Sequence, residues 1–179
     1  MDGPWISNYI PVPIDSVAET QVTLTTTLQA LVATGRLPNL GANYFGFVGK
    51  RVHMKGTGWT TSGATPGNMT IAVLAGNNAN NTGVNVASVA TTWSASQTNY
   101  TFLFDLWIQC RATGASGSLL CEGIVFYQSS GFYPFNFTAP AISTVDLTQN
   151  PLYFSPQASR SGTTAEVFRV LDIFFEALN

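Results

Sequence analysis

Acid–base or nucleophilic catalysis in this chain would have to pass through His53, the one histidine among 179 residues. It lies two residues before Lys55, on a stretch that alternates like a strand, and no Cys, Asp or Glu stands near it at metal-ligand spacing. That pattern argues against a metal site and reads as a surface or interface histidine. A Ser-His-Asp triad could use no other base, and no G-x-S-x-G elbow is present to hold its serine. The "GASGS" of Gly114–Ser118 looks superficially similar but falls at a hairpin tip. The nine acids are Asp2, Asp15, Glu19, Asp105, Glu122, Asp146, Glu166, Asp172 and Glu176, and they are dispersed. Only Asp105 and Glu122, on opposite arms of one hairpin, can share a face, and their offset suits a solvated or interface pair better than glycosidase carboxylates. "GFVGK" lacks the spacing of a phosphate loop, and its Gly-Lys is followed by Arg51 where Ser or Thr is needed. No catalytic, metal-binding or cofactor-binding residue is assigned, and the expectation is a protein that is not an enzyme.

Two residue types remain. Cys110 and Cys121 flank the hairpin turn and fall on one side of it, directly opposed only in one register. They read as two buried thiols, with a disulfide formed in an oxidising medium as the alternative. Trp59, Trp93 and Trp107 have flat faces that could stack on sugars, although such aromatics more often anchor β-cores and interfaces.

The composition narrows the function further. Hydrophobic residues make up 45% of the chain and charged residues 9%, against roughly 25% charged in ordinary soluble proteins. Thr, Ser, Asn, Gln and Gly fill the difference. A surface so poor in charge resists self-association badly, a liability that matters less inside a stable assembly. The net charge is −2 and only Lys50, Arg51 and Lys55 cluster, so there is no basic arm or stripe for nucleic acid. "MDGPWISNYIPVPID" has neither a basic start nor an unbroken apolar core, so it does not read as a signal peptide. No run reaches the roughly 18 apolar residues of a membrane span. Asn68, Asn80, Asn99 and Asn136 open N-x-Ser/Thr triplets that chance explains in a chain rich in Asn and Thr.

Residues 1–18 read as an extended arm. Pro4, Pro11 and Pro13 forbid a regular helix, while Trp5, Ile6, Tyr9 and Ile10 make the segment too apolar to float freely. It docks on a partner or packs on its own domain. Residues 19–179 read as a β-domain, with strands expected over Thr20–Thr27, Lys50–Thr60, Asn68–Ala75, Val84–Thr91, the Thr101–Gln128 hairpin and Ser143–Leu147. "PLYFSPQAS" suits an edge strand, because Pro156 cannot join a central ladder. "EVFRVLDIFFEAL" fits a helical stripe or a strand facing inward through Val167, Leu171, Ile173 and Phe175. Its β-branched and aromatic content favours the strand. Many short strands, a late hairpin and a closing strand suit an all-β, single jelly-roll-like antiparallel β-sandwich. The hairpin's first strand is apolar on both faces, and its second face carries Leu103, Asp105 and Trp107. Leu103 and Trp107, with the arm residues Trp5, Ile6, Tyr9 and Ile10, are the candidate partner and oligomer contacts.

The stretches "GANYFGFVGKRVHMKGTGWTTSGATPGNMTIAVLAGNN" and "TTWSASQTNYTFLFDLWIQCRATGASGSLLCEG" resemble a recurrent family of small jelly rolls in tailed-bacteriophage virions. The carrying pattern is an aromatic–x–x–V–G–K start, a "G…TPG–x–x–T" strand pair and a long "R–x–x–G–x–x–G" hairpin, over roughly Leu37 to Gln128. That family is similar to trimeric decoration (cement) proteins on HK97-type capsid shells, and some of its relatives serve in tails or fibres. The resemblance implies a homotrimer that binds the major capsid protein and stabilises the head surface. The protein would be made in the host cytoplasm, with no cofactor, nucleic acid or membrane partner. The alternative it leaves open is a tail or fibre component recognising host-surface glycans.

Overall fold

The computed structural model describes residues 20–32, 37–77, 83–128, 131–134 and 143–178. The arm assigned to residues 1–18, with Trp5, Ile6, Tyr9 and Ile10, lies outside them. The described residues form strands and turns and no helix. The strands are β1 (Thr20–Thr23), β2 (Gln29–Ala30), β3 (Asn39–Leu40), β4 (Arg51–Thr61), β5 (Asn68–Gly76) and β6 (Val84–Thr92). They continue as β7 (Tyr100–Ala112), β8 (Gly117–Tyr127), β9 (Gly131–Pro134), β10 (Ser143–Val145), β11 (Leu152–Arg160) and β12 (Val167–Leu178).

All pairings are antiparallel. One sheet runs β1-β12-β4-β7-β8-β10 with β9 also on β8, and the other runs β2-β11-β5-β6 with β3 also on β11. The chain crosses between sheets at β1–β2, β3–β4, β4–β5, β6–β7, β10–β11 and β11–β12. This interleaves β1-β12-β4-β7 with β2-β11-β5-β6, the two four-stranded layers of a jelly-roll-like sandwich. Strands β8 to β10 extend the larger sheet beyond that frame. The two corners at one end are stitched together: Ser62 Oγ donates to Ser94 O at 2.7 Å and accepts from Gln97 N at 3.0 Å.

One hydrophobic core lies between the layers. Strand alternation points Val52 and Met54 of β4, Phe102, Phe104, Leu106 and Ile108 of β7, and Met69, Ile71 and Val73 of β5 inward. Gly56 and Gly58 share the inward face of β4, where they pair with Phe104 and Phe102. A Cβ on Gly56 would sit 2.1 Å from the Phe104 ring, so the glycines are the seats of the two phenyl rings. Of the two roles open to Trp93, sugar platform or core anchor, the structure shows the core anchor: it is 6% exposed and stacks on Phe168 at 5.4 Å.

Three expectations are corrected. β11 is flanked on both sides, with β5 on one and β2 and β3 on the other. Pro156 is tolerated because its C=O accepts from Leu31 N at 2.9 Å. Its missing N–H points to that same side, in the gap between the two-residue partners β3 (at Leu152 and Tyr153) and β2 (at Gln157 and Ala158). β12 is a strand, but a bulge between Val170 and Asp172 switches its inward parity. Phe168 and Val170 are buried before the bulge and Ile173 and Phe175 after it, while Val167 and Leu171 are not in the core. The short strands β2, β3 and β9 fall in stretches that had no strand expectation.

Beneath the β1–β2 corner, Glu166 is fully buried. Thr164 Oγ1 donates to its Oε1 at 2.6 Å, and Arg160 Nε lies 3.0 Å from its Oε2 as an ion pair. Arg160 also donates to the carbonyls of Leu24 and Gly162, tying β11 to the turn after β1.

Candidate binding face on the larger sheet

The register of β12, β4, β7 and β8 lays their outward side chains in rows. Glu176, His53, Trp107 and Glu122 form one row; Arg51, Gln109 and Leu120 form the row on one side of it. Phe174, Lys55, Asp105 and Ile124 form the row on the other side, followed by Asp172, Thr57, Leu103 and Phe126. The strands position these groups on a stiff ladder, so a binding site here needs no loop movement to assemble.

His53 is the centre of the face and is 8% exposed. Its ring stacks on Trp107 with centroids 4.1 Å apart and planes 6° apart, and meets Phe174 edge-on at 6.0 Å. Its Nε2 lies 2.7 Å from Asp105 Oδ1, while Lys55 Nζ lies 3.1 Å from Asp105 Oδ2. The carboxylate thus takes a charged or polar donor on each oxygen and fixes the imidazole plane. The imidazole in turn fixes the indole. Neither the His53 row nor the rows directly flanking it contain a Ser, Thr, Cys or Tyr; Thr57 stands one row further, beyond Lys55. No group of three or more His, Cys, Asp or Glu among them could hold a metal ion.

Sequence reasoning placed His53 and Lys55 on one face, and Leu103, Asp105 and Trp107 on one face, but did not bring the two sets together. The register Lys55↔Asp105 and His53↔Trp107 does so. A signal was available in the alternation of the two long strands. Asp105 and Glu122 do share a face, as expected; Glu122 lies opposite Trp107, one row from Asp105. Leu103 is half-buried, and Trp107 is 37% exposed. Trp59 is half-buried on the same sheet face, beyond the rows described.

Beside Trp107, on the side away from Lys55 and Asp105, is an open cleft of about 210 Å³ lined by Arg51, Trp107, Gln109, Leu120 and Glu122. Among the described residues, the guanidinium of Arg51, the amide of Gln109 and the carboxylate of Glu122 take part in no ion pair or side-chain hydrogen bond.

The turn leading into β4 presents a second feature. Phe47 and Val48 are 71% and 64% exposed, the most exposed large hydrophobic side chains described. Their loop is braced on β7, since Gly49 N donates to Cys110 O and Cys110 N to Lys50 O, both at 2.8 Å. Phe45 is buried beneath it, and the Tyr44 hydroxyl donates to Arg51 O at 2.6 Å.

The two cysteines are free, buried thiols on the inward face. Ile108 faces Cys121 and Cys110 faces Leu119, so the cysteines share a side without direct opposition. Burial pushes the Cys121 thiol up to about 12 and raises Cys110 as well.

No helix among the described residues is long and apolar enough to cross a membrane. No protein-family model and no curated protein sequence matches the chain. Among solved structures, a mutant of the alginate lyase Aly36B in complex with an alginate trisaccharide aligns over 89% of this chain and 81% of its own, at 10% identity and a TM-score of 0.36. A likeness that distant assigns this chain no activity.

Proposed function

We propose that the chain is a non-catalytic assembly module: a structural protein of a tailed-phage particle that decorates the outside of an HK97-type head shell as a homotrimer. The observation that carries the assembly reading is the Phe47–Val48 knob. Two large apolar side chains are held outward on a hydrogen-bonded turn of a charge-poor protein. Burial of such side chains in a partner drives association without chemistry. The phage setting is supported by the sequence resemblance over Leu37–Gln128. The self-contact belongs at the Leu103, Ile124 and Phe126 end of the larger sheet. There three apolar side chains gather on β7 and β8, whereas Trp107 stands beside Glu122 and the Arg51 row.

Quantitative mass spectrometry of purified virions tests the reading. A decoration protein is present at hundreds of copies per particle, on the order set by shell symmetry; a tail or fibre component is present at far fewer. A stable monomer at micromolar concentration in sedimentation equilibrium removes the trimer. Replacing Phe47→Ser with Val48→Ser leaves melting within about 0.5 kcal/mol of wild type, as for other exposed positions, and abolishes binding to expanded shells. Undiminished shell binding by that variant removes the knob from the interface.

A further inference from the structure

We infer that the Arg51–Trp107–Gln109–Leu120–Glu122 cleft is a saccharide-binding subsite for one neutral pyranose unit of a polysaccharide. The inference does not rest on the assembly reading above.

The first ground is the combination of groups. Pyranose rings present an apolar C–H face and a rim of vicinal hydroxyls that both donate and accept. The cleft offers one aromatic plate, Trp107, and one aliphatic wall, Leu120. Around them stand a five-donor fork in Arg51, a donor–acceptor amide in Gln109 and an acceptor-only carboxylate in Glu122. These three polar groups have no partner among the described residues, so their hydrogen-bonding capacity is available to a ligand. One cation and one anion line the same space, which favours hydroxyls bridging between them over a second net charge.

The second ground is preorganisation. One face of the indole is covered by the parallel His53 ring at 4.1 Å, and that ring is held by Asp105 at 2.7 Å. Trp107 also lines the cleft, so the stacked pair carries the indole that a sugar would meet. The Trp107 rotamer is fixed before a ligand arrives, so little ordering remains to oppose binding. The third ground is size. About 210 Å³ is less than the ~300–1,000 Å³ of pockets that enclose drug-sized ligands. One ring of a chain lying across the open sheet fits; a large enclosed ligand does not.

The test is affinity electrophoresis of the full chain in gels cast with dextran, galactomannan or a soluble β-glucan, and with polygalacturonate as the acidic comparison. Binding is then quantified by calorimetry with the best polymer. The expected result is retardation by at least one neutral polymer, and an affinity reduced about tenfold or more in Gln109→Ala and in Glu122→Ala, since each removes a polar contact to the ligand. Both positions lie on the outward face, so unchanged melting shows that the fold is intact. Trp107→Ala abolishes binding; should that variant fail to fold, Trp107→Phe, which keeps a plate on His53, reduces it. Retardation by none of the neutral polymers overturns the proposal, as does binding that Gln109→Ala and Glu122→Ala leave unchanged. Retardation by polygalacturonate alone overturns the neutral class.

Discussion

At the scale of single residues, burial changes what a side chain can do, and Cys121 shows it most directly. Its thiol is pushed up from 9.0 to about 12 because the thiolate cannot be solvated in the core. The folded chain therefore holds this proton more tightly than the unfolded chain. The contribution to stability is whole below pH 9 and is lost as pH rises toward 12. Wild-type melting is expected to fall above about pH 9 more steeply than that of Cys121→Ala. That variant gives up about 1–3 kcal/mol of packing at neutral pH. Parallel melting curves across that range would remove the thiol from the alkaline transition. Cys110 and Cys121 could be read as buried and same-sided from the sequence, because the turn between them fixes parity. His53 could not be read correctly, because its partners come from another strand. Asp105 is fifty-two positions away in sequence, and only the β4–β7 register makes them neighbours.

Elements are decided by alternation, and alternation fails where a strand slips. β4 and β5 keep strict parity, and so does β7 as far as the irregularity after Cys110, so their inward residues were legible. β12 does not: the bulge after Val170 moves the inward set from even to odd positions, and a single alternating pattern across the segment misassigns its first half. Pro156 misled for a related reason. A proline excludes a continuous partner on its N–H side, and two broken strands satisfy that as well as an open edge does. The glycines of β4 carry information that a strand propensity scale reads as weakness. Gly56 faces Phe104 across the ladder, and a side chain there meets the ring at 2.1 Å. Gly56→Val is expected to cost about 3 kcal/mol, at the upper end of overpacking penalties. Combining Gly56→Ala with Phe104→Leu should recover part of the loss of Gly56→Ala alone, because the two positions share one volume. Denaturant melts of the set measure this, and simple additivity would refute the pairing.

Over the whole molecule, the sandwich class followed from turn punctuation and the spacing of apolar runs, but the interleaving of strands between sheets did not. Local pattern says that a strand has an inner face and leaves open which sheet it joins. The core described here is assembled from residues between Leu24 and Phe175, contributed by both sheets. The arm residues 1–18 precede β1, which begins at Thr20. Within the assembly reading, that arm acts as a grip on the neighbouring shell protein. An extended chain spans at most about 3.3–3.6 Å per residue, so fourteen residues can cross a neighbouring subunit. Each side chain of the Trp5, Ile6, Tyr9 and Ile10 set that enters a groove adds roughly 1.5–3 kcal/mol before ordering is subtracted. Deletion of residues 1–14 is expected to leave far-UV circular dichroism and the melting temperature nearly unchanged, while binding to empty, expanded shells falls sharply. Unfolding of the truncated chain would make the arm part of the fold. Undiminished shell binding would leave docking to the braced Phe47–Val48 turn alone.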